Sequence, residues 1–127
     1  MPRLLDSADV FVNASVVDNQ PVSILEAFAA GLPVVSTPTG DISALVHHGQ
    51  TGLLVPENDP DALAAAVLAL FERPSEALEM ARAARRDVRR FTWAAVRSGW
   101  LDVYAGADWH SAVVKHQIAF LTRHLTP

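Results

Sequence analysis

The sequence predicts an α/β fold: a three-layer, partial doubly wound parallel sheet of about three strands, with extra helices toward the C-terminus. Three observations carry this expectation. Short apolar runs of strand length, Val10-Phe11-Val12-Asn13, residues 33–37 and residues 52–55, alternate with segments of helix length. Such alternation implies parallel pairing through right-handed crossovers. Gly31 closes the segment 22–30 and is followed at once by Leu32-Pro33-Val34-Val35-Ser36-Thr37, which reads as helix, left-handed turn and buried strand. Half of the 127 residues are apolar and 19% are charged, enough to bury a core and too apolar for a disordered chain.

Taken in order, Leu4 to Ala8 reads as a helical turn, Val10 to Asn13 as a buried strand and Ala14 to Gln20 as a loop. Helix 22–30, strand 33–37, helix 41–48 and strand 52–55 follow. Asp59 is a good N-cap, with Pro60 at the first helical position and Leu63, Val67 and Leu70 as the inner stripe up to Arg73-Pro74. Ser75 is expected to cap the next helix, whose inner stripe is Ala77, Ala81, Ala84, Val88 and Phe91. Thr92 is expected to cap a third, with Trp93, Val96, Trp100 and Val103 facing inward. Beyond Gly106, Val114, Ile118, Leu121 and Leu125 predict one more amphipathic helix. The expected division is residues 1–107 as the α/β domain and 108–127 as a helical extension.

Composition narrows the function classes. A net charge of −4 gives no general affinity for nucleic acid. The absence of cysteine excludes disulfides and thiolate metal sites. The start Met1-Pro2-Arg3-Leu4-Leu5-Asp6 has no apolar signal region, and no apolar run reaches the ~18 residues of a membrane span. The expected location is the cytoplasm. Arg82, Arg85, Arg86, Arg89 and Arg90 form a cationic run, read first as a solvated helix face and secondarily as a peripheral contact for anionic lipid or phosphate. His47-His48 is read as structural, because neighbours on a helix point ~100° apart and no third ligand is in view. His110, His116 and His124 do not share one helical face.

The stretch 18–37 carries the chemistry. Pro21, Val22 and Ser23 open a helix, so unpaired backbone N–H groups and the positive end of its dipole face the preceding polar loop. Glu26, expected on the first helical turn, can accept hydrogen bonds from a pair of neighbouring hydroxyls.

The run Asp18 to Val35 resembles the second half of the nucleotide-sugar-binding domain of GT-B glycosyltransferases, in particular the retaining family 4, or group 1, enzymes. Thr37-Pro38-Thr39-Gly40-Asp41-Ile42 is similar to that family's Gly-Gly turn. His48 to Pro56 is similar to its Asp-Gly-x-x-Gly-Leu-Leu-Val strand, and Phe91-Thr92-Trp93 through Tyr104 to its closing helix. These linked motifs cover roughly residues 8–105.

The resemblance implies a Rossmann-like fold and a nucleotide diphosphate sugar as donor, with no metal and no separate cofactor. It implies that Glu26 holds the ribose hydroxyls, that Asp18 contacts the transferred sugar as the catalytic carboxylate, and that Gln20, Pro21, Val22, Ser23 and Ile24 line the donor. Three positions depart from the family pattern: Asp18 is one methylene shorter than the usual Glu, Asp41 replaces the second glycine, and Ala44 stands where a glutamate is usual. The basic pair and Gly-rich loop that neutralise diphosphate in the family lie well upstream of the matching region. The expectation is therefore a fragment of a retaining glycosyltransferase, inactive in isolation, acting on an unknown acceptor. The alternative is a non-catalytic α/β interaction module. In either case a homodimer through the sheet edge, the C-terminal helix or both is expected.

Overall fold

The computed structural model describes residues 2–105. Three parallel strands, β1 (Phe11–Asn13), β2 (Val34–Ser36) and β3 (Leu53–Leu54), form one sheet in the order β1-β2-β3. Phe11 pairs with Val34 and Val35 with Leu53. The helices are α1 (Pro2–Leu5), α2 (Val22–Ala30), α3 (Ile42–Leu45), α4 (Pro60–Glu72), α5 (Pro74–Asp87) and α6 (Trp93–Tyr104), with a 3-10 turn at Val88–Phe91. The chain divides into two compact units at Arg89/Arg90. The first holds the sheet and α1–α5, and the second holds α6. The predicted α/β class and the parallel three-stranded sheet are therefore observed.

Strand β2 is buried at all three positions, as a central parallel strand covered on both faces must be. Val35 joins Val55, Leu70, Ala77 and Met80 in one apolar cluster, against which Val10, Leu53, Leu63, Ala66 and Val67 also pack. Helix α2 lies against β1 and β2, and buries Ile24, Ala27 and Phe28 completely. Helix α5 packs on both α2 and α4. Gly31 closes α2 at φ 80, and the Leu32 N–H returns to the Ala27 carbonyl at 3.0 Å. Asp59 caps α4 by accepting the Ala62 N–H at 2.8 Å, as predicted.

Several expectations are corrected. The helix predicted over 41–48 is one turn, Ile42–Leu45, because Val46 swings into extended backbone. Residues 47–51 then form a turn in which the Gln50 and Thr51 N–H groups share the His47 carbonyl. Ser75 does not cap α5; Arg73 serves as both the C-cap of α4 and the N-cap of α5, and Pro74 begins the helix. The stripe of α5 is Ala77, Met80, Ala81 and Ala84, and Val88 and Phe91 fall in the 3-10 turn beyond it. In α6, Thr92 holds the N-cap position, but Trp93, Trp100 and Val103 are exposed rather than inward. Trp100 stacks instead on Tyr104 one turn later, at 6.1 Å between ring centroids. Arg82, Arg85, Arg86 and Arg89 are exposed. The C-terminal stripe Val114 to Leu125, His110, His116, His124 and the expected boundary at 107 lie outside the described residues.

Candidate functional site

Ligands of parallel α/β sheets bind beyond the carboxyl ends of the strands, and in this protein those ends are fastened by a chain of polar contacts. At the end of β1, Asn13 Nδ2 donates to Ser36 Oγ at 3.2 Å, and Ser15 Oγ donates to Asn13 Oδ1 at 2.7 Å. Ser36, fully buried, donates in turn to the Thr37 carbonyl at 3.1 Å. The hydroxyls of Thr37 and Thr39 both reach the Ser15 carbonyl, at 2.5 and 2.8 Å. Thr39 also lies 2.8 Å from Glu57 Oε1, on the loop after β3. Three successive strand ends thus converge on the start of the 14–20 loop.

The far end of that loop is fixed by the 37–41 turn. The Asp41 N–H donates to the Asn19 carbonyl at 2.9 Å. Gly40, at φ 57, lies so close to the Asp18 carbonyl that no β-carbon fits between them. Asp18 is half-buried, and its Oδ1 accepts the Asn19 N–H at 2.8 Å, a local turn of the kind aspartate favours.

The loop delivers the chain into α2. Pro21 occupies the N-cap in extended backbone, no side chain caps this end, and the Ile24 N–H returns to the Pro21 carbonyl at 3.2 Å. The amide groups of Val22 and Ser23 therefore stand at the positive end of the helix dipole without a side-chain partner. Gln20 and Val22 are exposed, Pro21 and Ser23 are half-buried, and Ile24 is fully buried. Ile24 therefore presents no exposed surface to a ligand, and its N–H is already taken by the Pro21 carbonyl.

Glu26 is the fifth residue of α2, so it opens the second turn rather than lying on the first. It is half-buried, and it has no hydrogen-bond partner among the described residues. Asp41 is exposed at the start of α3 and makes no side-chain cap. No cluster of three metal-ligating side chains occurs among the described residues. The arrangement offers free helix N–H groups to an anion and an unpaired carboxylate to hydroxyl donors, a combination suited to a phosphorylated, polyhydroxylated ligand.

The loop, the helix and the turn holding Thr37 and Thr39 are visible in the sequence, but the hydrogen bonds of Thr37 and Thr39 and the parts played by Asn13, Ser15 and Glu57 are not. A signal was present in the polar run Ser36-Thr37-Pro38-Thr39 directly after Val34-Val35, where a buried strand turns polar at its carboxyl end.

A family model described as "Glycosyl transferases group 1" matches residues 1–73. Among curated proteins, the chain is 39% identical over 92 residues to the amylovoran biosynthesis glycosyltransferase AmsK of Erwinia amylovora, covering 68% of this chain and 23% of that protein. It is 35% identical over 121 residues to the D-inositol 3-phosphate glycosyltransferase of Pseudarthrobacter chlorophenolicus, covering 95% of this chain and 26% of that protein. Among solved structures, sucrose-phosphate synthase from Thermosynechococcus elongatus superposes with a TM-score of 0.77 at 30% identity, over 81% of this chain and 26% of that one. The chain thus spans about a quarter of the length of these relatives. By the family match over more than half of its length, and by a fold shared with a solved relative, the chain belongs to the group 1 glycosyltransferases.

Proposed function

We propose that this chain is part of the donor-binding domain of a retaining glycosyltransferase that moves a sugar from a nucleotide diphosphate sugar to an acceptor. The observation that carries the reading is the uncapped N-terminus of α2 at the carboxyl ends of the sheet, followed one turn later by the half-buried, unpartnered Glu26. Glu26 accepts hydrogen bonds from the two ribose hydroxyls. The backbone of Gln20, Pro21, Val22 and Ser23 faces the sugar and the phosphates, with the buried Ile24 anchoring the helix start behind them, and Asp18 contacts the transferred sugar. Catalysis on this reading is positioning together with stabilisation of the leaving phosphate by helix N–H groups, without a metal. The exposed Asp41 carboxylate, beside the same loop, weakens diphosphate binding by like-charge repulsion.

The basic groups and the acceptor surface that the reaction needs are not found among the described residues of this crevice, so the isolated chain binds donor weakly and transfers no sugar. Incubation with nucleotide sugars tests this: sugar release above the protein-free blank that disappears in Glu26→Ala would refute the inactivity. Absence of any saturable nucleotide binding to the chain would remove the donor site itself. No described helix is long and apolar enough to cross a membrane.

A second reading is favoured by one specific observation. Strand β1 is at the edge of the sheet, with Val12 exposed. An open edge of this kind invites strand pairing, and on this reading the chain self-associates as an α/β interaction module.

A further inference from the structure

Thr39 Oγ1 carries one proton and lies 2.8 Å from two acceptors, the Ser15 carbonyl and the Glu57 carboxylate. One hydroxyl proton cannot make a full, linear hydrogen bond to both at once. We propose that Glu57 tunes the grip on the 14–20 loop by competing with the Ser15 carbonyl for the hydroxyl proton of Thr39. Thr39 is 8% exposed, so water does not readily replace a lost partner, whereas Glu57 is exposed. A carboxylate is the stronger acceptor of the two, because bonds to an ionised group exceed those between neutral groups. The proton therefore goes to Glu57. The Thr39 oxygen is then left facing the Ser15 oxygen with lone pairs on both sides, and of the two hydroxyls only that of Thr37 still holds the Ser15 carbonyl, at 2.5 Å.

Two features place Glu57 for this role. The Val55 N–H donates to the Ser36 carbonyl at 2.9 Å, and Asp59 caps α4, so the 56–58 segment is anchored on either side. The competition has a sign that a purely structural contact lacks. Removing the carboxylate charge should tighten the loop, because Thr39 is then free to donate to Ser15. A glutamine at 57 does so best, since its amide N–H can donate to Thr39 Oγ1 while Thr39 donates onward.

The test is amide hydrogen exchange at residues 16–20 in the full chain, with urea unfolding run on each variant to separate local from global effects. Glu57→Gln and Glu57→Ala should slow exchange there by about fivefold, the scale of one ordinary hydrogen bond. Thr39→Val should leave exchange as fast as in the wild type or faster, and Thr39→Ser should match the wild type. In the double variant Glu57→Gln with Thr39→Val the slowing should vanish. Exchange in Glu57→Gln and Glu57→Ala that is unchanged or faster would overturn the proposal, as would slowing that persists when Thr39 is valine.

The consequence for donor binding rests on the reading of this loop as the donor loop. Titration with uridine diphosphate should show tighter binding to Glu57→Gln than to the wild type. If no variant binds the nucleotide, the donor reading falls while the exchange data still decide the role of Glu57.

Discussion

The backbone at Gly40 rests directly on the backbone at Asp18. A β-carbon on residue 40 would lie 2.9 Å from the Asp18 carbonyl carbon and 3.1 Å from the Asn19 oxygen, and residue 40 also holds φ at 57. The 37–41 turn therefore sets the height of the loop that carries the candidate catalytic carboxylate. Gly40→Ala should both strain the turn and lift the loop. Gly31 supplies the control, because it shares a positive φ of 80 but has its nearest neighbour, the Arg85 side chain, at an ordinary 3.8 Å. Gly31→Ala should cost roughly 1–2 kcal/mol, the penalty of the left-handed conformation alone. Gly40→Ala should exceed it by at least about 1 kcal/mol. Urea unfolding of the two variants checks the order, and equal losses would mean that the loop yields freely.

Glu26 is the residue on which the donor reading is most exposed to test. Its carboxylate is half-buried without a partner among the described residues, so replacing it with the isosteric amide leaves the fold intact. It also removes the charge that would assist hydrogen bonds from ribose. Glu26→Gln should weaken nucleotide binding by about 1.5–3 kcal/mol, with unfolding midpoints unchanged. Equal affinities by calorimetry would take Glu26 out of the site.

His48 has a structural task that its place in a His-His pair does not reveal. Its Nδ1 accepts the N–H of Leu54 at 3.0 Å, which requires the neutral ring with its proton on Nε2. The bond ties the 47–52 turn to β3, alongside the parallel bridge between His48 and Gly52. His48→Ala should destabilise the chain by about 0.5–1.5 kcal/mol and speed exchange at the Leu54 amide. His48→Asn, whose carbonyl can stand in for Nδ1, should recover part of that loss. Indistinguishable unfolding of wild type and His48→Ala would show that the bond contributes nothing net.

The elements legible in the sequence are those whose cause is local. Gly31 after an apolar helix, Asp59 before Pro60 and the apolar run around Val34-Val35 each encode their structure within a few residues, and each is found where expected. The failures have a different origin. Residues 41–48 have no helix stop of their own, and the helix ends at Leu45 because Val46 turns extended toward the bridge between His48 and Gly52. The contacts of Thr37, Thr39 and Glu57 join residues 18 to 24 positions apart, and no periodicity reports them. Asp18 to Ile24 stood out because a polar loop entering an uncapped helix is a local pattern. The network beneath it is assembled only by the sheet.

The exposed edge of β1 gives the last prediction. Phe11 donates its N–H to the Pro33 carbonyl, and the Asn13 carbonyl accepts the Thr37 N–H, both toward β2. In a parallel ladder a residue's N–H and C=O point the same way and alternate from one residue to the next. Those of Val12 therefore point away from β2, toward a side where no strand pairs among the described residues. If the chain self-associates through this edge, as a homodimer with an interface above about 1,000 Å², the Val12 N–H is a donor in the new ladder. Proline at an edge position removes an outward N–H without cutting the inner ladder. Val12→Pro should therefore leave the far-ultraviolet spectrum of the chain largely unchanged while shifting light scattering from dimer to monomer at tens of micromolar. A dimer that survives Val12→Pro would place the interface elsewhere, and a wild-type monomer at the same concentration would remove the second reading altogether.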